Sequence, residues 1–436
     1  MRVVVLPVQG RGHRREADRA AAAARVRPRR TSQVPARLRL LIVSTTYDVV
    51  VAGGGPAGAA TALRLAASGF SVALLERSRF DRPRVGETLA PSIQPLLRDL
   101  GVWGQFVALG PLPSWGTRSI WSSTEPAAHS HLENGYASGW HVDRRLFDRM
   151  LLDAAVDAGV AVALGTSLVG SRYDGLWQLT CSGGRRLTGR VLIDATGRSA
   201  TIGRSLGARR IAFDRLVGIT AQWNGVDVTA EQYLLIESVS DGWWYTAPLP
   251  GNVMVGMFMT DADICRRHNL AAPRPWRAHL ASATATALRV DAALRSTTPD
   301  GNSAVRLAPG PRLHSAVHPA TGPRVYSAAS HRLVRPGDSR PWLAVGDAAL
   351  AVDPISGSGV PRALRTAEAA ATTAAHLLTH PADRSPLTSY ESTRNAECTT
   401  YLSTRADYYA VALPHPNPFW SRRRALEATG GGSGGR

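Results

Sequence analysis

The sequence predicts an α/β protein: a parallel sheet covered by helices, an antiparallel sheet interleaved with it, and a helical C-terminal region. Three observations predict this. The stretch "YDVVVAGGGPAGAATALRLAASGFSVALLER" reads as apolar strand, glycine turn, helix and second apolar strand, a βαβ unit whose parallel pairing needs a covered sheet. Far downstream, "WLAVGDAALAVDPISGSGVPRALRTAEAAA" is again a buried strand, an acid, a loop of Pro and Gly, and a long alanine-rich helix. Between them, "YLLIESVSDGWWYTAPLPGNVMVGMFMTD" reads as consecutive strands with a turn at Pro250 and Gly251, the pattern of an antiparallel sheet.

A length of 436 residues exceeds one ordinary core, so one large domain with an inserted layer, or two intimately packed domains, is expected. No run of about 18 apolar residues occurs, so no segment is expected to span a membrane. Cys181, Cys265 and Cys398 lie far apart without a CxxC pair, which argues against a metal site or a disulfide framework and fits a cytoplasmic setting. The formal charge is +18, and every basic residue is arginine; the chain holds no lysine. About half of the excess charge falls in residues 1–45, expected to be a disordered basic arm or an over-extended start, with Val43 or a neighbour as the true beginning. Basic and aromatic residues are not interleaved elsewhere, so no nucleic-acid partner is expected. Residues 429–436, "TGGGSGGR", read as a flexible tail.

The glycines of the first unit carry chemistry. Gly53, Gly55 and Gly58 form GxGxxG at the strand-to-helix turn, with Gly54, Pro56 and Ala57 between them. Missing side chains allow a tight bend, close approach of a pyrophosphate and close helix packing, and the helix start offers free amides and partial positive charge. Glu76, roughly 20 residues on at the end of the second strand, is placed to accept from ribose hydroxyls, with Arg77 beside it. Strand, turn, helix and acid together define a Rossmann-type dinucleotide site.

The downstream block narrows the dinucleotide to a flavin. Asp347, just after its strand, can hold ribityl hydroxyls. Pro354, Gly357, Ser358, Gly359 and Val360 then deliver a helix start whose amides can stabilise the anionic reduced isoalloxazine.

From about Tyr47 to Arg424 the chain resembles the FAD-dependent monooxygenases and flavin-dependent halogenases of the p-hydroxybenzoate-hydroxylase-like fold. "RVGETLAP" is similar to the halogenase-type segment beside the isoalloxazine, which implies cofactor contacts for Gly86, Glu87 and Thr88. "HVDRRLFDRMLLDAA" carries the R-x-x-F-D helix start of Arg144, Phe147 and Asp148, with Arg144 implied near the FAD. In "VLIDATGRSA", Asp194 and Gly197 resemble the turn that precedes the substrate half, but aromatic hydroxylases usually show DG where this chain has DATGRS. With no second GxGxxG, reduced flavin is expected from NAD(P)H directly or from a separate flavin reductase.

The resemblance also implies a domain plan. FAD-binding parts span residues 46–223 and 334–380, with a substrate segment at about 105–140 interleaved in the first. A substrate sheet spans residues 224–333, and residues 381–428 form a helical end. Tryptophan halogenases carry WxWxIP and a lysine that captures hypohalous acid; here "GWWYTAPLP" fills the pattern as WxYxAP, and no lysine exists. A guanidinium, permanently delocalised, is a poor replacement. The stretches "DGWWYTAPLPGNVMVGMFMTDADICRR" and "YLSTRADYYAVALPHPNPFWSRR" most resemble flavoproteins that mature quinone cofactors by hydroxylating a protein tryptophan, and related natural-product monooxygenases. The implied activity is hydroxylation of an electron-rich aromatic, free, carrier-bound or peptidyl, through a flavin hydroperoxide. A flavin oxidase, dehydrogenase or double-bond reductase stays open, as does a non-catalytic flavoprotein partner. Trp243 and Tyr245 share one face of their strand, with Trp244 opposite, and are candidates to line the pocket; His331 is a candidate base.

Overall fold

A computed structural model describes residues 46–134, 138–229, 231–295 and 321–424. The basic arm at 1–45 and the glycine tail at 429–436 lie outside the described residues.

The predicted parallel sheet is present. Thr46–Ala52 pairs in parallel with Val72–Glu76 on one side and Arg186–Asp194 on the other, with Ala161–Leu164 and Trp342–Ala344 extending it outward. Val49 and Val51 face the helices Pro56–Ala67 and Gly359–Thr379, while Val50 and Ala52 face Trp177, Leu187 and Trp342. Burial on both faces is why this strand reads as an unbroken valine run instead of an alternating one. The nine-residue strand Arg186–Asp194 also closes an antiparallel meander with Leu168–Asp174 and Leu176–Cys181.

The second sheet has the strand order Thr321–Ser327, Leu216–Asn224, Val253–Asp261, Gly242–Leu249, Leu234–Val239, Gly116–Ile120 and Ala127–Ser130. Every pairing is antiparallel except that of Leu234–Val239 with Gly116–Ile120. A segment from early in the chain therefore finishes a sheet made much later. The hairpin turn falls at Pro250–Asn252, with Gly251 at φ +82°. Alternation holds as read: Trp243 packs with Trp121, Tyr409 and Trp420, and Trp244 packs on the opposite face with Phe258 and Trp276.

Two C-terminal helices join the layers. Ser385–Ala410 buries Leu387, Tyr390, Arg394, Cys398, Tyr401, Arg405 and Tyr409, residues three or four apart that form one helical stripe. Pro418–Arg424 packs Phe419 and Trp420 against the Trp243 side of the antiparallel sheet. The three cysteines are buried and free. No helix among the described residues is long and apolar enough to cross a membrane.

Candidate cofactor and active site

Three backbone turns converge at the ends of the parallel strands. In the first, Gly53 has φ +117°, and a Cβ there would lie 2.1 Å from the Ala195 carbonyl oxygen. A Cβ on Gly58 would lie 1.9 Å from the Gly53 carbonyl oxygen, so both positions require glycine for the protein's own packing. Gly55 differs: a Cβ there meets no atom within 4 Å and would point into open space. Gly55 caps the helix Pro56–Ala67 without a side-chain hydrogen bond, leaving first-turn amides free of intrahelical acceptors. The Gly54 amide donates to Glu76 Oε2 at 2.7 Å, and Glu76 Oε1 accepts from the Ser78 amide at 2.8 Å. Glu76 is thus buried against the glycine turn; Arg77, next to it, is exposed.

The second turn follows Trp342–Ala344. Gly346, at φ +59°, leaves no room for a Cβ, which would sit 2.6 Å from Ala57 Cβ, so this turn is pressed against the first helix. The half-buried Asp347 beside it is held by two guanidiniums: Oδ1 accepts from Arg362 Nη2 at 2.8 Å, and Oδ2 lies 3.3 Å from Arg198 Nε. Asp347, expected from its place after the strand to hold ribityl hydroxyls, is thus already engaged by two arginines that no sequence motif points to. The third turn, through Pro354, Gly357 and Ser358, leads into Gly359–Thr379, again without a side-chain cap. Neither Gly357 nor Gly359 has a protein atom within 4 Å of where a Cβ would stand.

A fourth element, residues 84–88, closes the front. Arg144 Nη1 reaches the carbonyls of Val85 and Gly86 at 2.7 and 3.1 Å, and its Nε bonds Asp148 at 3.0 Å. Arg84 Nη1 also bonds Asp148, at 2.8 Å. The R-x-x-F-D pattern is therefore a helix start capped by Asp143, with Phe147 in the core and Asp148 gathering the two arginines that shape this loop. Thr88 bonds His141 Nδ1 at 3.0 Å. Glu87 is buried and accepts from its neighbour's amide at Gly86 and from the Tyr245 hydroxyl at 3.1 Å. Burial raises the pKa of both groups, and the carboxylate beside the phenol adds to the rise at Tyr245. Pro83, Val85, Glu87, Thr220, Gln222, and Tyr326 line a cleft at this seam between loop and sheet.

The candidate side chains are not all brought together. Tyr245 is half-buried and meets Glu87. Trp243 is enclosed, 1% exposed, and its indole N–H donates to Tyr409 at 3.1 Å, so it supports the wall behind Tyr245. His331 lies on a separate strand, His331–Val334, paired with Ala351 beyond the Asp347 turn. Sequence reasoning passed over Asp353. This buried acid accepts from Tyr409 at 2.8 Å and from the Ile355 amide at 3.0 Å, and its own amide donates to Tyr401. Burial, with Asp214 nearby, raises its pKa. The run Trp243, Tyr409, Asp353 ties the antiparallel sheet to the third turn. The available signal was the Asp-Pro pair itself, with tyrosines on one face of the last long helix.

Burial, with Arg210 and Arg198 nearby, lowers the His331 pKa to about 4; burial does the same for His141. Both therefore fold as neutral rings. Between the unfolded value near 6.5 and the folded value near 4, the unfolded chain binds more protons, so stability rises with pH across that window. The urea midpoint should fall steeply as pH drops from 6.5 to 4. Replacing His331 with Leu should lower that slope by about one proton, roughly 1.4 kcal/mol per pH unit. An unchanged slope would show that His331 titrates normally.

The residues around these turns fit FAD. A Cβ at Gly55, Gly357 or Gly359 would meet no protein atom within 4 Å, the two helices that start at these turns carry no side-chain cap, and Arg362, 4% exposed, keeps Nε and Nη1 buried without a partner among the described residues. Comparison with known proteins agrees. The FAD binding domain family matches residues 46–403, and the chain belongs to that family. It is a flavoprotein oxidoreductase. It is 31% identical, over 88% of its length and 98% of the relative, to LodB of Marinomonas mediterranea, named as an FAD-dependent oxidoreductase. It is 25% identical to tryptophan 2-halogenase of Chondromyces crocatus over 87% of its length and 71% of the relative. Among solved structures, the peptidyl tryptophan dihydroxylase QhpG superposes with TM-score 0.64 at 25% identity, covering 87% of this chain and 79% of that one. The flavin-dependent halogenase CmlS shares the fold with TM-score 0.71 at 22% identity, covering 88% of this chain and 68% of that one.

Proposed function

We propose that the chain is an FAD-dependent monooxygenase that hydroxylates an electron-rich aromatic ring of the tryptophan or indole type, whether free, carrier-bound or in a peptide. One observation carries the choice. The chain is similar over most of its length both to a tryptophan 2-halogenase and to a peptidyl tryptophan dihydroxylase, and it contains no lysine. Halogen transfer in tryptophan halogenases uses a lysine amine, whereas oxygen transfer to a ring needs none.

When bound, FAD supplies the redox chemistry that activates dioxygen. The chain's own residues supply the rest. Amides at the starts of Pro56–Ala67 and Gly359–Thr379 bind and orient the cofactor, and Glu76 accepts from its ribose. Tyr245, held by Glu87, offers an aromatic face to orient a flat ring, to which stacking contributes roughly 0.5–1.5 kcal/mol beyond area burial. Glu87, whose carboxyl binds a proton more tightly than usual, takes the proton the ring gives up as aromaticity returns. Trp243 and Tyr409 hold the sheet wall in place and keep water from the rear. A flavin reductase, or NAD(P)H directly, supplies electrons.

Holoprotein given chemically reduced flavin, dioxygen, bromide and a tryptophan-containing peptide should add oxygen and no bromine, read by mass spectrometry. A brominated peptide would move the chain to the halogenating branch.

A further inference from the structure

Asp347 does not stand alone at the second turn. Its two oxygens are taken by Arg198, from the turn after Arg186–Asp194, and by Arg362, from the first turn of Gly359–Thr379. One carboxylate between two guanidiniums leaves one net positive charge. Arg198 is fixed further by the Ala329 and Val352 carbonyls at 3.0 and 2.7 Å. Arg362 is not: Nη2 meets Asp347, and Nε and Nη1 are buried with no partner among the described residues. A guanidinium that is 4% exposed and half unsatisfied is costly in the protein alone. It stands in the first turn of a helix, where the backbone already bears partial positive charge.

We propose that Arg362, held by Asp347 together with Arg198, is a positioning residue that sets the charge at the flavin site, so that the chain binds reduced, anionic FAD in preference to oxidised, neutral FAD. Two electrons from an external reductant and one proton from solvent convert the neutral isoalloxazine to a monoanion. The surplus positive charge stabilises that product more than the starting form. Asp347 then acts chiefly as the anchor that keeps the two guanidiniums in register. The inference depends on FAD binding and not on which substrate is oxidised.

The test uses the full chain loaded with FAD and compares Arg362→Gln with Arg362→Lys. Gln keeps a donor toward Asp347 without charge; Lys keeps the charge. Two readouts serve: the dissociation constants of oxidised and dithionite-reduced FAD, and the midpoint potential measured against a redox dye. Arg362→Gln should lose about tenfold of the preference for reduced FAD, which for a two-electron couple equals about 30 mV toward negative potential. Arg362→Lys should restore most of it. Equal weakening of both FAD forms by both variants, with no change in potential, would show a purely structural arginine and overturn the inference. So would an unchanged potential with unchanged affinities. If Arg362→Gln does not fold, Arg362→Lys still decides: a parental potential supports the charge role, and a fall as large as that expected for the neutral variant contradicts it.

Discussion

Gly55→Val should give a folded protein that does not retain FAD. Gly55 already has the extended backbone of a helix N-cap, φ −75° and ψ −178°, which valine adopts readily. A Cβ there meets no protein atom within 4 Å, so the fold itself does not resist the side chain. The added methyls occupy the space in which a pyrophosphate must approach the amides of Pro56–Ala67. Affinity should fall at least a hundredfold, about 2.7 kcal/mol. Flavin absorbance per mole of protein after gel filtration reads the loss, and circular dichroism should show apo-protein melting at the parental temperature. Gly58→Val is the contrasting case. Its Cβ would lie 1.9 Å from the Gly53 carbonyl oxygen, so fold and cofactor should fail together. A Gly55→Val protein as yellow as the parent would place the cofactor elsewhere.

Asp261→Ala should cause a large loss of stability, about 3–5 kcal/mol. Asp261 is 1% exposed and accepts from Arg423 at 2.9 Å and Arg422 at 2.7 Å. Arg423 is itself 3% exposed, with its guanidinium 3.6 Å from the Phe419 ring centre, so it cannot simply turn to water when the carboxylate goes. An uncompensated buried charge remains, and the helix Pro418–Arg424 loses its ion pairs to the end of the strand Val253–Asp261. Trp420, which packs on Trp121 and Tyr409, should loosen with it, shown by a red-shifted tryptophan emission and a lower urea midpoint. Arg422→Ala should cost far less, because that side chain is more than a third exposed. Equal effects would mean that burial of Arg423 does not matter here.

How much of this could be read from the sequence follows from distance along the chain. The glycine turn and Glu76 were legible because GxGxxG and its acid lie in one βαβ unit, at a spacing fixed by one helix and two strands. The opposed faces of Trp243 and Trp244 were legible because a strand alternates. The Asp353, Tyr409 and Trp243 network was not: its members are separated by 56 and 166 residues, and no local rule pairs them. Arg362 was missed for a different reason. In "PRALRTAEAAA" it looks like the solvated side of an alanine helix, and only the packed fold shows that Arg362 points inward while Arg365 is exposed. The stripe on Ser385–Ala410 was obscured likewise, since Arg394 and Arg405 occupy core positions and blur its apolar period. Trp243 shows the converse limit. Its face was predictable, but its donation to Tyr409, and so its place behind the cleft, depended on a helix from the far end of the chain.

Oxygen transfer to an aromatic ring is tested most directly with isotopically heavy dioxygen. Holoprotein with chemically reduced FAD is mixed with tryptophan, indole and tryptophan-containing peptides, and products are read by mass spectrometry. The expected result is a ring-hydroxylated product carrying the heavy oxygen atom. A product changed only in hydrogen content, with all the heavy oxygen recovered as hydrogen peroxide, would contradict monooxygenation and identify an oxidase.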